Sequence, residues 1–260
     1  CREGYAPSSV STSTPESRVE RQYSPTPTPI PAYTSAPIMP ASTPMPTPAP
    51  TQTPAPAIGE YAGFATDDEI RVRAEPTTAS QVLYTLGKME KVKILDEVNG
   101  EPWISGNQEI YGKWYKLENG YVYSALLYVP EKDEASPFVS GKKWVEVDRD
   151  DQMLYAYADG KIVYQTIVAI GLPETPTPLG EFSIGRRVFN ETMTDYATYN
   201  VPKVLYTQYF TSLGHAMHLN YWVPVDAFGN YPTSHGCIGL FLRDAQWLWL
   251  FEPSQVRIRE

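Results

Sequence analysis

The sequence predicts a mainly β chain, with two folded parts behind an unstructured N-terminal tail. Three observations carry this expectation. Beyond about residue 58, apolar residues come in short alternating or β-branched runs separated by Gly, Asn and Asp turns. Only one stretch, about 243 to 251, spaces its apolar residues as a helix does. And 14 of the 25 prolines fall within residues 2 to 57, among Thr, Ser and Ala.

Residues 1–57 hold too few large apolar side chains to build a core, so they are expected to be disordered. Repeats such as Thr26-Pro27-Thr28-Pro29 favour extended polyproline II, at about 3 Å per residue, and make a semi-rigid spacer with a reach on the order of 150 Å. The first residue is Cys1. A Cys followed by a polar tail resembles a mature bacterial lipoprotein, which implies a lipid on Cys1 and attachment to a membrane.

Residues 58–130 read as a small barrel. Ile70-Arg71-Val72-Arg73 alternates, Val92-Lys93-Ile94-Leu95 follows a polar turn, and Lys113-Trp114-Tyr115-Lys116-Leu117 alternates again. Asn119-Gly120 then makes a hairpin turn into Tyr121-Val122-Tyr123, because both residues tolerate positive φ. Residues 131–141, with charge, Pro and Gly, read as a linker.

Residues 142–260 open with two strands separated by Asp148-Arg149-Asp150-Asp151, and a third runs from about 162 to 170 after the turn at Asp159-Gly160. That third run is apolar and β-branched enough to be expected at the centre of a sheet. A Pro-rich loop follows to Pro178, then a strand at Phe182-Ser183-Ile184. Residues 185 to 203 are expected to form a polar insertion near the functional site. The helix places Ala245, Leu248 and Trp249 on one face, and Val256-Arg257-Ile258-Arg259 closes the chain as a strand. The net charge of −9 and pI near 4.9 exclude a nucleic-acid partner, whose phosphates call for a basic surface. No apolar run is long enough to span a bilayer.

The chemistry concentrates in one place. Cys237 is the only cysteine besides Cys1, and all 3 histidines, His215, His218 and His235, precede it within 23 residues. A thiol needs a nearby base to react at neutral pH, since the thiolate is the nucleophile. In extended chain His215 and His218 point to opposite faces, so only one of them can face Cys237, whereas His235 and Cys237 share a face. The backbone N–H groups of Gly236 and Cys237 are natural donors to an oxyanion.

Ser234-His235-Gly236-Cys237-Ile238, with His218 upstream and 15 residues between it and Ser234, resembles the signature of the YkuD-type L,D-transpeptidases. Supporting matches are Trp144-Val145-Glu146-Val147, Gln152-Met153-Leu154-Tyr155-Ala156-Tyr157, Thr177-Pro178-Leu179-Gly180-Glu181-Phe182 and Asp244-Ala245. Residues 58–130 resemble a bacterial SH3 domain through Arg71-Val72-Arg73-Ala74-Glu75-Pro76, Trp114-Tyr115-Lys116-Leu117 and Gly120-Tyr121-Val122-Tyr123. Such modules often bind cell-wall peptide or glycan, which makes Tyr84, Trp103, Tyr111 and Tyr123 candidate contacts, although for any one of them a place in the small core is the stronger reading.

The resemblance implies a β-sandwich with one or two helices for residues 142–260, following the SH3-like barrel. It implies that Cys237 attacks the amide before a terminal D-Ala in a peptidoglycan stem peptide, and that the acyl-enzyme passes to an amine of a second stem as a 3→3 cross-link. His218 is the implied base, its ring held by the Leu219 carbonyl, with His235 orienting or stabilising the thiolate. Ser234, Trp222, Tyr209 and Asn220 are expected to line the substrate site. No metal or other cofactor is required, the chain is expected to act as a monomer in the cell envelope on the outer face of the membrane, and a carbapenem is the expected covalent inhibitor. Gly239 departs from the family, which usually has Arg or Asn there; Arg243 or Asn220 must fill the gap, or the substrate differs.

Other readings remain. Water as acceptor makes the protein an L,D-carboxypeptidase. A papain-like endopeptidase of the NlpC/P60 kind also pairs Cys with His, but places the Cys first in the chain. A zinc site from the three histidines and Cys237 uses the right ligand types on opposed faces. A wall-binding lipoprotein without activity is the alternative from outside enzymology.

Overall fold

A computed structural model describes residues 61–102, 112–194 and 199–260. The expected tail with Cys1, and the candidate contacts Trp103 and Tyr111, lie outside the described residues.

The first part contains β1 (Tyr61–Ala65), β2 (Ile70–Arg73), β3 (Val82–Leu86), β4 (Lys91–Ile94), β5 (Asp96–Asn99), β6 (Lys113–Leu117), β7 (Gly120–Tyr123) and β8 (Leu127–Tyr128). They form two small sheets, β3-β2-β7-β6-β5 and β4-β1-β8, closed over Ile70, Val72, Leu86, Ile94, Leu117 and Val122. The β6–β7 turn needs its glycine: Gly120 has φ +122°, and a Cβ there would lie 2.6 Å from the Arg73 carbonyl oxygen. Of the candidate aromatic contacts, Tyr84 is exposed, whereas Tyr123 is buried against Trp114 with ring centroids 5.4 Å apart.

The second part contains β9 (Lys143–Asp148), β10 (Met153–Ala158), β11 (Lys161–Ile167), β12 (Gly180–Ser183), β13 (Arg186–Thr194), β14 (Asn200–Tyr209), β15 (Ala216–Leu219), β16 (Ile238–Leu240), α1 (Leu242–Phe251) and β17 (Gln255–Arg259). One sheet runs β11-β10-β9-β17-β12 and the other β13-β14-β15-β16. Val145, Leu154 and Val256 from the first share one core with Leu205, Met217 and Ile238 from the second, which makes the expected β-sandwich. Asp159 (φ 47°) and Gly160 (φ 80°) turn β10 into β11, as the Asp-Gly pair foretells.

Two expectations change. The third strand is an edge, not a centre: Ile162 and Ile167 face solvent, and the buried part of that run is Val168 to Ile170, which bridges toward β16 through two hydrogen bonds between Ala169 and Gly239. The polar segment 185 to 203 is largely a long antiparallel hairpin, β13 with β14, with an irregularity between Glu191 and Met193.

Helix α1 explains how the two parts meet. From Asp244 to Phe251 every residue is buried, which an apolar stripe on one sheet cannot achieve. The SH3-like part covers the other side. Gln246 Nε2 donates to the carbonyls of Ala125 and Leu127, both at 3.0 Å. Trp249 Nε1 donates to the Thr66 carbonyl at 2.9 Å, and the Tyr206 hydroxyl reaches Thr66 Oγ1 at 3.0 Å. Residues 131–141 are held down too: Trp247 Nε1 donates to the Ala135 carbonyl at 2.8 Å, and Arg243 pairs with Glu134.

Because this interface is buried and hydrogen-bonded, both parts are expected to melt in one calorimetric transition. Gln246→Leu strips donors from two buried carbonyls and should lower stability by about 2 kcal/mol without splitting that transition. Two separate transitions in the unsubstituted protein would contradict a shared core.

Candidate active site

β15 and β16 run parallel, pairing Met217 with Ile238 and His218 with Gly239. One step back along that register, Ala216 lies opposite Cys237, so Cys237 and His218 stand on the same face. A strand spacing of about 4.8 Å and a rise of about 3.3 Å per residue put their Cα atoms about 8 Å apart, a span that a thiol and an imidazole can close. The Ala216 N–H hydrogen-bonds the sulfur, and Cys237 is half-buried as a free thiol.

The loop before Cys237 is tightly built. Gly236 has φ +104°, and a Cβ there would lie 2.7 Å from the His215 ring, so only glycine fits. Ser234 Oγ donates to the Cys237 carbonyl at 2.6 Å and accepts from the Gly236 N–H at 3.1 Å. Its hydroxyl therefore closes the turn instead of facing a substrate, and the Gly236 N–H is occupied instead of standing free for an oxyanion. Behind the turn, the Pro-rich loop supplies Thr175 Oγ1 to the Ser234 carbonyl at 3.2 Å, and the Leu172 N–H to the same oxygen at 2.8 Å.

The histidines separate into three environments. His218 is 2% exposed, and its Nδ1 bonds the Leu219 carbonyl at 2.8 Å. A carbonyl only accepts, so Nδ1 carries the proton and Nε2 keeps its lone pair. Trp222 stacks on this ring at 5.4 Å and walls the site. His215 is half-buried, bonds Thr211 Oγ1 through Nδ1 at 2.9 Å, and backs the glycine turn. His235 is exposed, its ring parallel to Tyr199 at 6.0 Å.

Burial pulls the His218 pKa down to about 4, with the Leu219 bond opposing. Burial also pushes the Cys237 thiol up; the Ala216 N–H opposes this, and the Glu191 charge adds to it. The resting pair is a neutral thiol beside a neutral imidazole, which can take the proton as the thiol attacks.

Asn220, expected to line the substrate site, is instead buried: its side chain covers Gly239, where an added Cβ would lie 2.8 Å from the Asn220 Nδ2. That contact fills the space left by the glycine. Arg243 does not, since it is bound to Glu134 and the Val129 carbonyl at the domain interface. Tyr209 lies beside a cleft of about 470 Å³ whose lining also includes Arg186, Thr211 and Gly214. The Gly214 carbonyl lies 3.9 Å from the Cys237 sulfur. Arg186 belongs to this cleft wall, and Glu191 accepts a hydrogen bond from the Tyr209 hydroxyl at 2.9 Å; neither was singled out in the sequence, where they are two charges in a polar strand.

An unfolded histidine titrates near 6.5, but His218 in the fold near 4. Between these values the unfolded chain binds the proton and the folded one does not, so stability falls as pH drops through that window, by up to about 3 kcal/mol. Urea denaturation at pH 7 and pH 4 should show this loss, and His218→Gln should remove that part of it.

Residues 142–256 match the family model of the L,D-transpeptidase catalytic domain, and residues 68–128 that of the bacterial SH3 domain. The chain is 29% identical over 111 residues to L,D-transpeptidase 2 of Mycobacterium tuberculosis, covering 39% of this chain and 27% of that protein. The match thus spans about a quarter of that relative's length. The catalytic domain of the E. faecium L,D-transpeptidase is similar at 28% identity and TM-score 0.41, over 46% of this chain and 98% of that one. The L,D-transpeptidase LdtMt1, solved in complex with imipenem, is similar at 16% identity and TM-score 0.43, over 56% of this chain and 66% of that one. The chain therefore carries an L,D-transpeptidase catalytic domain at residues 142–256, preceded by a bacterial SH3 domain at residues 68–128.

Proposed function

We propose that Cys237 is the nucleophile of a transpeptidase that forms 3→3 cross-links between peptidoglycan stem peptides. What supports this reading is that Cys237 immediately precedes β16, whose pairing of Ile238 with Met217, continued by one residue, sets Cys237 on the face of His218, and that Nδ1 of His218 is tied to the Leu219 carbonyl. As the sulfur attacks the amide carbon before the terminal D-Ala, its proton passes to Nε2 of His218. The imidazolium then gives that proton to the departing amine, and D-Ala leaves. The Cys237 N–H faces the developing oxyanion, since the Gly236 N–H is engaged by Ser234. His235, exposed at the rim, contacts the stem peptide instead of the proton in flight.

An amine of a second stem then takes the acyl group from sulfur and restores the thiol. Water in its place gives an L,D-carboxypeptidase, so the acceptor decides the product. In this reading the protein works as a monomer in the cell envelope, anchored through a lipid on Cys1 at the outer face of the membrane, with the Pro-rich tail as spacer. The SH3 domain holds wall material near the site.

A β-lactam ring presents a strained amide to the same sulfur, and a related enzyme has been solved with imipenem. Imipenem should add covalently to the protein in intact-mass spectra. Cys237→Ala should abolish the adduct, and His218→Gln should slow its formation by about 10²- to 10⁴-fold. A well-folded protein that forms no adduct and releases no D-Ala from a tetrapeptide would sink the enzymatic reading in favour of a binding protein.

A further inference from the structure

The proposed reaction gives no part to His215. This residue stands immediately before β15, and its ring lies behind the cysteine turn. A Cβ on Gly236 would come 2.7 Å from His215 Cδ2, 2.8 Å from its Nε2 and 3.3 Å from the Pro176 carbonyl oxygen. The ring thus occupies the space that any side chain at position 236 would take. Gly236 has φ +104°, which turns the chain sharply just before the sulfur, and glycine pays no steric cost for it. Nothing on the glycine itself then fixes that turn.

The ring is held on two further sides. Thr211 Oγ1 accepts the His215 backbone N–H at 3.1 Å and lies 2.9 Å from the ring Nδ1. With a lone pair given to that N–H, the hydroxyl hydrogen goes to Nδ1, so Nδ1 accepts and Nε2 of the neutral ring carries the proton. Burial keeps the His215 pKa below its ordinary value, and the ring is neutral at pH 7. The buried Phe210 ring lies nearly parallel to it at 6.2 Å, and the Phe210 N–H donates to the His215 carbonyl at 3.0 Å. The preceding residue, Gly214, places its carbonyl 3.9 Å from the Cys237 sulfur, so one short segment meets the nucleophile at its loop and at its sulfur.

We propose that His215 is a positioning residue for the nucleophile: locked by Thr211, its ring stands in for the side chain that Gly236 lacks and holds the turn that presents Cys237 to His218. The proposal rests on the acyl-enzyme reading above. Two parts of the imidazole do separate work. Its bulk fills the space against Gly236, and its Nδ1 takes the Thr211 hydrogen bond that fixes the angle of the ring. Losing either lets the sulfur drift from the base, and a misplacement on the order of 1 Å costs up to about 10²-fold in rate. Substrate binding does not depend on the ring, which lies behind the turn and is not among the residues that line the cleft.

The test follows imipenem acylation of the full chain by intact mass over a range of imipenem concentrations, which separates the saturating rate from the half-saturating concentration. His215→Phe keeps a ring and removes the Nδ1 acceptor. It should lower the saturating rate by about 10- to 100-fold and leave the half-saturating concentration within about 2-fold. Thr211→Val should slow acylation alike, and Thr211→Ser, which keeps the hydroxyl, should recover most of that loss. The double variant of His215→Phe with Thr211→Val should be no slower than either single one, since both break the same contact. An unchanged rate in His215→Phe, a loss confined to the half-saturating concentration, or costs that multiply in the double variant overturn the proposal and leave the acyl-enzyme reading standing. Should His215→Phe fail to melt cooperatively, the Thr211 variants decide, and equal rates for Val and Ser overturn it. No adduct on the unsubstituted protein overturns the parent reading and this one with it.

Discussion

The parallel pairing of β15 with β16 is the constraint on which the site depends. Cys237 and His218 lie 19 positions apart in the sequence, and the fold has to bring them back together. The register sets Met217 against Ile238, and continued by one residue it sets Ala216 against Cys237, with the thiol and imidazole on one face. A slip of one residue would turn one of them to the opposite face and separate them. The surrounding structure guards against that slip. Ala169 bonds both backbone groups of Gly239, Asn220 covers the same glycine, and the Ser234 hydroxyl closes the turn that delivers the sulfur.

The same burial that fixes the pair also sets its charge. A fully desolvated imidazole resists protonation, and a desolvated thiol resists ionisation, so the site rests uncharged. In the proposed reaction, charge appears only as the substrate arrives, where the Cys237 N–H can meet it. The Leu219 carbonyl makes this possible by holding the proton on Nδ1 and leaving Nε2 free. The SH3 domain contributes at a distance, since it buries the second side of α1, the helix that follows β16 directly.

Much of this was legible before any coordinates. β2, β4, β6, β7, β9 and β10 follow from period-two alternation and from turns such as Asn119-Gly120 and Asp159-Gly160. Strand alternation leaves either His215 or His218 to face Cys237, and only the family resemblance selects His218. The misses have physical causes. Val168 to Ile170 is buried by a bridge to the second sheet, so the whole apolar run reads as central although Ile162 is exposed. Gln246 is buried because it bonds the carbonyls of Ala125 and Leu127, and Trp247 because it stacks on Tyr164 and bonds the Ala135 carbonyl, none of which periodicity within the helix reveals. Ser234 and Asn220 are polar residues close to Cys237 and read as substrate contacts, whereas the Ser234 hydroxyl bonds within its own turn and Asn220 packs on Gly239 of β16. Arg186 and Glu191 become a pair only when the β13–β14 hairpin sets them around Tyr209.

The claim beneath all of this is that His218 waits as a neutral base with its Nε2 lone pair free. Nitrogen-15 NMR of the histidine side chains reads that state directly. The account predicts that the His218 ring is protonated on Nδ1 alone from about pH 5 to pH 8. A ring protonated on Nε2 at neutral pH, or an imidazolium there, would contradict it.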